Sequence, residues 1–148
     1  AIHARGVAGH VRARGLVGLQ AQQAAVVRGD EVTWYGPAPG ETDPWPQVAR
    51  QVGEDVSEGR AEEGILFCWT GTGVSIAANK VRGVRAALCN CLYTARMARA
   101  HNDANVLCIG ERTIGVGVAG QVVQVFVDTP FEGGRHQRRV AKIEREEP

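Results

Sequence analysis

The chain has 148 residues, 44% of them hydrophobic and 22% charged, which suits one globular domain spanning 1–148 with a buried core and excludes a disordered or low-complexity chain. Lys plus Arg number 17 and Asp plus Glu 16, and the resulting charge of +1 supplies no long-range attraction to nucleic acid or to an anionic membrane surface. No apolar run approaches the roughly 18 residues of a membrane helix and no signal-like apolar region opens the chain, so the expected setting is cytoplasmic, with neither membrane nor nucleic acid as partner.

In chain order, Gly6-Val7-Ala8-Gly9-His10 is a poor strand, because its glycines offer nothing to pack, and Leu16 to Val27 fits a first helix. Residues 1 to 29 are dominated by Ala, Arg, Gly, Val and Gln, the composition a GC-rich gene gives out of frame, so the segment is expected to be strongly diverged or misrecorded. Glu31 to Tyr35 reads as a strand ending at a Gly36-Pro37 turn. After Pro46, the spacing of Val48, Val52 and Val56 marks an amphipathic helix that ends near Gly59. Gly64 to Cys68 is an apolar strand, Thr70 to Gly73 a turn, and Ser75 to Lys80 a short helix. Val84 to Cys89 is a strand, Tyr93 to Ala100 a helix and Val106 to Ile109 a strand. Val118, Val122, Val125 and Phe126 define another helix, and Gly134 to Glu147 a charged one with Val140 and Ile143 on its apolar side. Strands alternating with helices predict an α/β fold, a mainly parallel sheet of about five strands with helices on both faces.

The cysteines at 68, 89, 91 and 108 lie in or at the ends of apolar segments and read as reduced thiols. Cys89 and Cys91 lack two further ligands, and His3, His10, His101 and His136 form no compact motif, so no metal is expected. In such folds ligands bind beyond the carboxyl ends of the strands. Three segments are expected there: the loop after Cys68, the turn from Cys89 to Tyr93, and His101-Asn102-Asp103. In the first, Gly71 and Gly73 let backbone N–H groups approach a ligand, and a helix starting near Ser75 adds a positive field that favours an oxyanion and a Cys68 thiolate. The same pattern is equally that of a tight turn with a packed cysteine. Arg135 and Arg139, four residues apart, share a helix face able to grip a phosphate, although the same spacing beside Glu144, Glu146 and Glu147 describes a solvated face. His101 fits both a proton carrier and a helix end favoured by the dipole.

The blocks GILFCWTGTGVSIAANK, VRGVRAALC, ARAHNDANVLCIGER and FEGGRHQRRVAKI resemble the ribose-5-phosphate isomerase B family, which includes the galactose-6-phosphate isomerase subunits; the resemblance runs from about Gly64 to Ile143. It implies a Rossmann-like three-layer α/β/α sandwich and a metal-independent aldose-ketose isomerase of a sugar phosphate, ribose 5-phosphate first among them, without cofactor. It implies a homodimer with active sites at the interface, or a tetramer built from it, with the C-terminal helix at about 134–147 packing on the partner subunit. Apolar residues around Cys89 to Arg99, and Val140 with Ile143, are expected to be covered there. By position, Cys68 matches the catalytic base, which moves a proton through an enediolate. Thr70, Gly71, Thr72 and Gly73 match the loop that holds the enediolate oxygen. His101 matches the ring-opening residue, Asn102 a substrate-binding neighbour, and Arg112, Arg135 and Arg139 the phosphate-holding arginines.

Two regions depart from that family. Counting back without gaps places Gly6 to His10 on the first strand and Val11 and Arg12 where the family has an Asp-His pair. His10 is one position early, and a one-residue slip turns a strand side chain to the other face. Trp69 stands where the family has glycine and Trp45 where many members have tyrosine, so both are expected to pack in the core or wall the substrate pocket. These departures leave a second reading, a weakened paralogue that binds a sugar phosphate or similar anion as a partner subunit.

Overall fold

The computed structural model describes residues 6–10, 29–35 and 45–145. Strands β1 (Gly6–His10), β2 (Glu31–Tyr35), β3 (Glu63–Cys68), β4 (Ala86–Leu88) and β5 (Val106–Gly110) form one five-stranded sheet in the order β2-β1-β3-β5-β4. Every neighbouring pair is parallel. The helices are α1 (Trp45–Ser57), α2 (Thr72–Ala78), α3 (Leu92–Asn102), α4 (Val116–Asp128) and α5 (Arg135–Arg145).

Side-chain alternation along the central strands sorts the helices into two layers. Ile65 and Phe67 of β3 and Leu107 and Ile109 of β5 pack with Ala95 and Ala98 of α3 and with Val122, Val123 and Phe126 of α4. Leu66, Val106 and Cys108 point the other way, against Val48, Val52 and Val56 of α1 and Val74 and Ala78 of α2. A strand covered on both faces needs apolar residues at consecutive positions, which is why these segments read as unbroken apolar runs. Phe67, Leu66, Leu107 and Phe126 are fully buried, each contributing about 1.5–3 kcal/mol relative to an exposed position.

The poor candidate Gly6–His10 does form an internal strand, bonded to β2 on one side and β3 on the other. The expected helix at 16–27, the turn at Gly36-Pro37 and the positions of Val11 and Arg12 lie outside the described residues. Two expected boundaries shift. The helix expected from Ser75 starts at Thr72, because Gly71 takes the left-handed conformation (φ 77°) as its cap and turns the chain at once. The strand expected over 84–89 shortens to Ala86–Leu88. At its outer edge the Asn79 amide imitates a neighbouring strand: Oδ1 accepts from Ala86 N–H at 2.8 Å and Nδ2 donates to Ala86 O at 3.0 Å. In the C-terminal helix, Val140 and His136 are buried within the chain and Glu144 pairs with Arg85, while the apolar Ile143 is 47% exposed.

Candidate active site

β3 ends at Cys68, opposite Gly110 of β5. Strand order reverses between β1 and β3, so Cys68 borders the crevice where α/β sheets bind ligands. The Gly71 N–H donates to Cys68 Sγ at 3.1 Å and Thr72 N–H to Thr70 Oγ1 at 3.3 Å. Ser75 N–H bonds Gly71 O and begins the helical ladder, so the amides of Gly73 and Val74 are first-turn donors that the helix leaves unsatisfied. First-turn amides beside the sulfur suit a developing oxyanion. Only glycine fits at position 71, where a Cβ would lie 2.4 Å from Leu88 Cδ1 and 3.0 Å from the Gly110 nitrogen. At Gly73 a Cβ would lie 2.8 Å from Trp45 Cη2, so the Trp45 indole rests directly on the loop.

Trp45 and Trp69 are 38% and 47% exposed, so neither indole fills the core. The Arg112 guanidinium carbon sits 3.7 Å over the Trp69 ring, a cation–π contact, while Arg112 N–H bonds Trp69 O and Glu111 N–H bonds Cys68 O. All four cysteines are free thiols. Burial pushes Cys89 up to about 11 and Cys108 well above the ordinary range, which makes both inert packing residues. The exposed Cys91 thiol is lowered by hydrogen bonds from Thr94, whose N–H it receives as the cap of α3.

The other expected residues stand at the opposite edge of the sheet. After β4, α3 runs back against the strand direction and ends with His101 and Asn102; Asp103 closes it in the left-handed conformation (φ 47°). Glu132 N–H donates to Ala100 O at 3.0 Å, which brings the start of α5, with Arg135 and Arg139, to the same end. His101-Asn102-Asp103 is therefore at the amino edge, a correction to its expected place near the Cys68 loop. A helix that follows a parallel strand must return to the amino edge before the next strand starts. The two halves, Cys68 to Gly73 with Arg112 and His101, Asn102, Arg135 and Arg139, are separated by the length of a five-residue strand, about 15 Å. Asn102 lines a cleft of about 390 Å³ with Asn79, Arg85, Ala86 and Ile143.

The sequence reading missed Glu132 and His136. The His136 ring stacks on that of His101, centroids 4.2 Å apart and planes within 7°. Glu132 Oε2 is 3.5 Å from His136 Nε2 and 3.9 Å from His101 Nε2. The available signal was the four-residue spacing of Glu132 and His136 beside Arg135. Burial, then the neighbouring His101 and Arg135 charges, push the His136 imidazole below its ordinary value. The ligand atoms of His101, Glu132 and His136 lie within 4.8 Å of one another, but the Arg135 Nε donates to His136 Nε2 at 3.5 Å and Arg139 adds positive charge. Those surroundings suit an anion better than a cation.

The parallel α/β sheet thus carries a thiol and first-turn amides at its switch point and a histidine-arginine cluster at its other edge. The model of the family described as ribose/galactose isomerase matches residues 18–143, so the likeness begins well before the Gly64 block. The chain is 45% identical over 118 residues to ribose-5-phosphate isomerase B of Escherichia coli, covering 80% of this chain and 79% of that one. It is 41% identical over 117 residues to D-erythrulose-4-phosphate isomerase of Pectobacterium atrosepticum, covering 78% and 77%. The solved type B ribose 5-phosphate isomerase of Trypanosoma brucei superposes with a TM-score of 0.88 at 41% identity, over 97% of this chain and 99% of that one. The chain belongs to the ribose/galactose isomerase family, a class of sugar-phosphate isomerases.

Proposed function

We propose that this chain interconverts the aldose and ketose forms of a sugar phosphate, ribose 5-phosphate and ribulose 5-phosphate being the expected pair, with Cys68 as the base. The observation that carries the reading is the hydrogen bond from Gly71 N–H to Cys68 Sγ, which holds the sulfur at the sheet's switch point beside first-turn amides of α2. Cys68 Sγ takes the proton from C2 of the open aldose, a C1–C2 double bond forms, and the carbonyl electrons move to O1. Donors of the Thr70–Gly73 loop hold that enediolate oxygen; the O2 hydroxyl proton then passes to O1, the double-bond electrons take the proton back from Cys68 at C1, and C2=O2 forms as the ketone. No outside electron donor or acceptor enters the balance. His101 opens the ring beforehand, Asn102 binds the substrate, Arg112, Arg135 and Arg139 hold the phosphate, and Trp69 walls the pocket.

One chain holds these groups at two opposite edges, so a complete site needs the amino edge of a second copy on the carboxyl edge of the first. A two-fold dimer makes two such sites. Ile76, Leu88 and Tyr93, 57%, 38% and 68% exposed, flank the free edge at β4 and offer apolar surface for that contact.

The test is a panel of aldose and ketose phosphates incubated with pure protein in deuterated water and followed by NMR. Isomer formation with deuterium beside the carbonyl is expected; no isomer and no exchange with any of them would remove the proposal. Arg135→Gln with Arg139→Gln should raise KM for the phosphorylated substrate by about a hundredfold, since each charged hydrogen bond is worth about 1.5–3 kcal/mol, with a smaller change in kcat. An unchanged KM, or equal turnover of the unphosphorylated sugar by the wild-type protein, would show that these arginines do not bind phosphate.

A further inference from the structure

The backbone after β5 is tied closely to the loop after β3. Glu111 N–H donates to Cys68 O at 2.8 Å and Arg112 N–H to Trp69 O at 3.0 Å, so the two segments stay bonded beyond the paired ends of their strands. Thr113 N–H bonds Gly110 O at 3.1 Å and closes a turn around Arg112. A Cβ on Gly110 would lie 2.6 Å from the Thr70 carbonyl carbon, so that turn is pressed against the Cys68 loop. The Arg112 main chain is thereby fixed relative to Cys68. Its side chain is held by a different contact, the Trp69 indole, with the guanidinium carbon 3.7 Å over the ring. Arg60, Arg85 and Arg99 are instead paired with carboxylates, those of Asp55, Asp103 and Glu63 among them. Among the described residues no carboxylate pairs with Arg112. The difference matters chemically. A carboxylate occupies the N–H edge of a guanidinium, whereas an aromatic ring holds only its face and leaves the in-plane donors for an oxyanion.

We propose that Trp69 is a positioning residue for substrate recognition: its indole carries the Arg112 guanidinium by the face, so that the N–H edge is presented, already ordered, to the phosphate group of the substrate. A free arginine side chain loses rotamer freedom when it binds, and a stacked one has lost much of it beforehand. The stack therefore acts on binding and so on KM, not on the proton transfer at Cys68. This deepens the isomerase reading and rests on the phosphate-holding role given to Arg112.

The test measures KM and kcat for ribose 5-phosphate on the full-length chain carrying Trp69→Leu, Trp69→Phe or Arg112→Gln, and on the double variant Trp69→Leu with Arg112→Gln. Trp69→Leu keeps bulk and loses the aromatic face; it should raise KM about fivefold, the scale of an exposed cation–π contact, with a smaller change in kcat. Trp69→Phe keeps a face and should restore most of that loss. Once Arg112→Gln has removed the group that Trp69 positions, Trp69→Leu should change KM by less than about twofold. A KM in Trp69→Leu equal to that of the wild type would overturn the proposal. So would a loss confined to kcat, which would place the effect on the neighbouring Cys68, or the same rise in KM with and without Arg112. An unchanged KM in Arg112→Gln would instead overturn the phosphate-holding role itself.

Discussion

Replacing Cys68 by serine is expected to slow both isomerisation and deuterium exchange by about a thousandfold, the scale on which a positioned general base contributes. Serine is the informative choice because its oxygen can accept the Gly71 N–H that now reaches Cys68 Sγ at 3.1 Å, so the β3 end and the glycine loop keep their geometry. A serine hydroxyl is intrinsically a far weaker acid than a thiol, so it is a poorer source of an anionic base. The variant should therefore bind phosphorylated substrate with little change while losing turnover. Full activity in Cys68→Ser would move the base elsewhere, and Cys91, the other thiol not fully buried, would be the group to examine.

The fold was legible because its central strands state their burial in the residue types themselves. Gly64 to Cys68 and Val106 to Ile109 are apolar at consecutive positions, and only a strand with helices on both faces needs that. The start of α2 was misplaced by three residues because Gly71 allows a left-handed cap that no periodicity announces. Cys68 and its loop were legible for a local reason: strand, thiol and glycines are contiguous, and the sheet puts them at its carboxyl edge. His101 was harder, since its place depends on the direction in which α3 crosses the sheet. His136 stayed hidden among the arginines of α5 because its stacking on His101 joins residues 35 positions apart. Trp45 rests on Gly73 and Trp69 lies under Arg112, contacts that periodicity cannot foretell.

The second large effect concerns assembly. Cys68 ends β3 at the carboxyl edge and His101 lies in the last turn of α3 at the amino edge, about 15 Å apart by strand length, so the proposed mechanism requires Cys68 from one chain and His101 from another. Chains carrying Cys68→Ser alone, or His101→Asn alone, should each fail on ring-closed ribose 5-phosphate. A mixed dimer of the two variants has one site with both changes and one with neither. The direct measurement is to unfold and refold an equal mixture of the two inactive chains together and assay ribose 5-phosphate isomerisation. About a quarter of wild-type activity should return, because half of the dimers are mixed and half of their sites are intact. A mixture no more active than the two variants kept apart would contradict a site shared between chains.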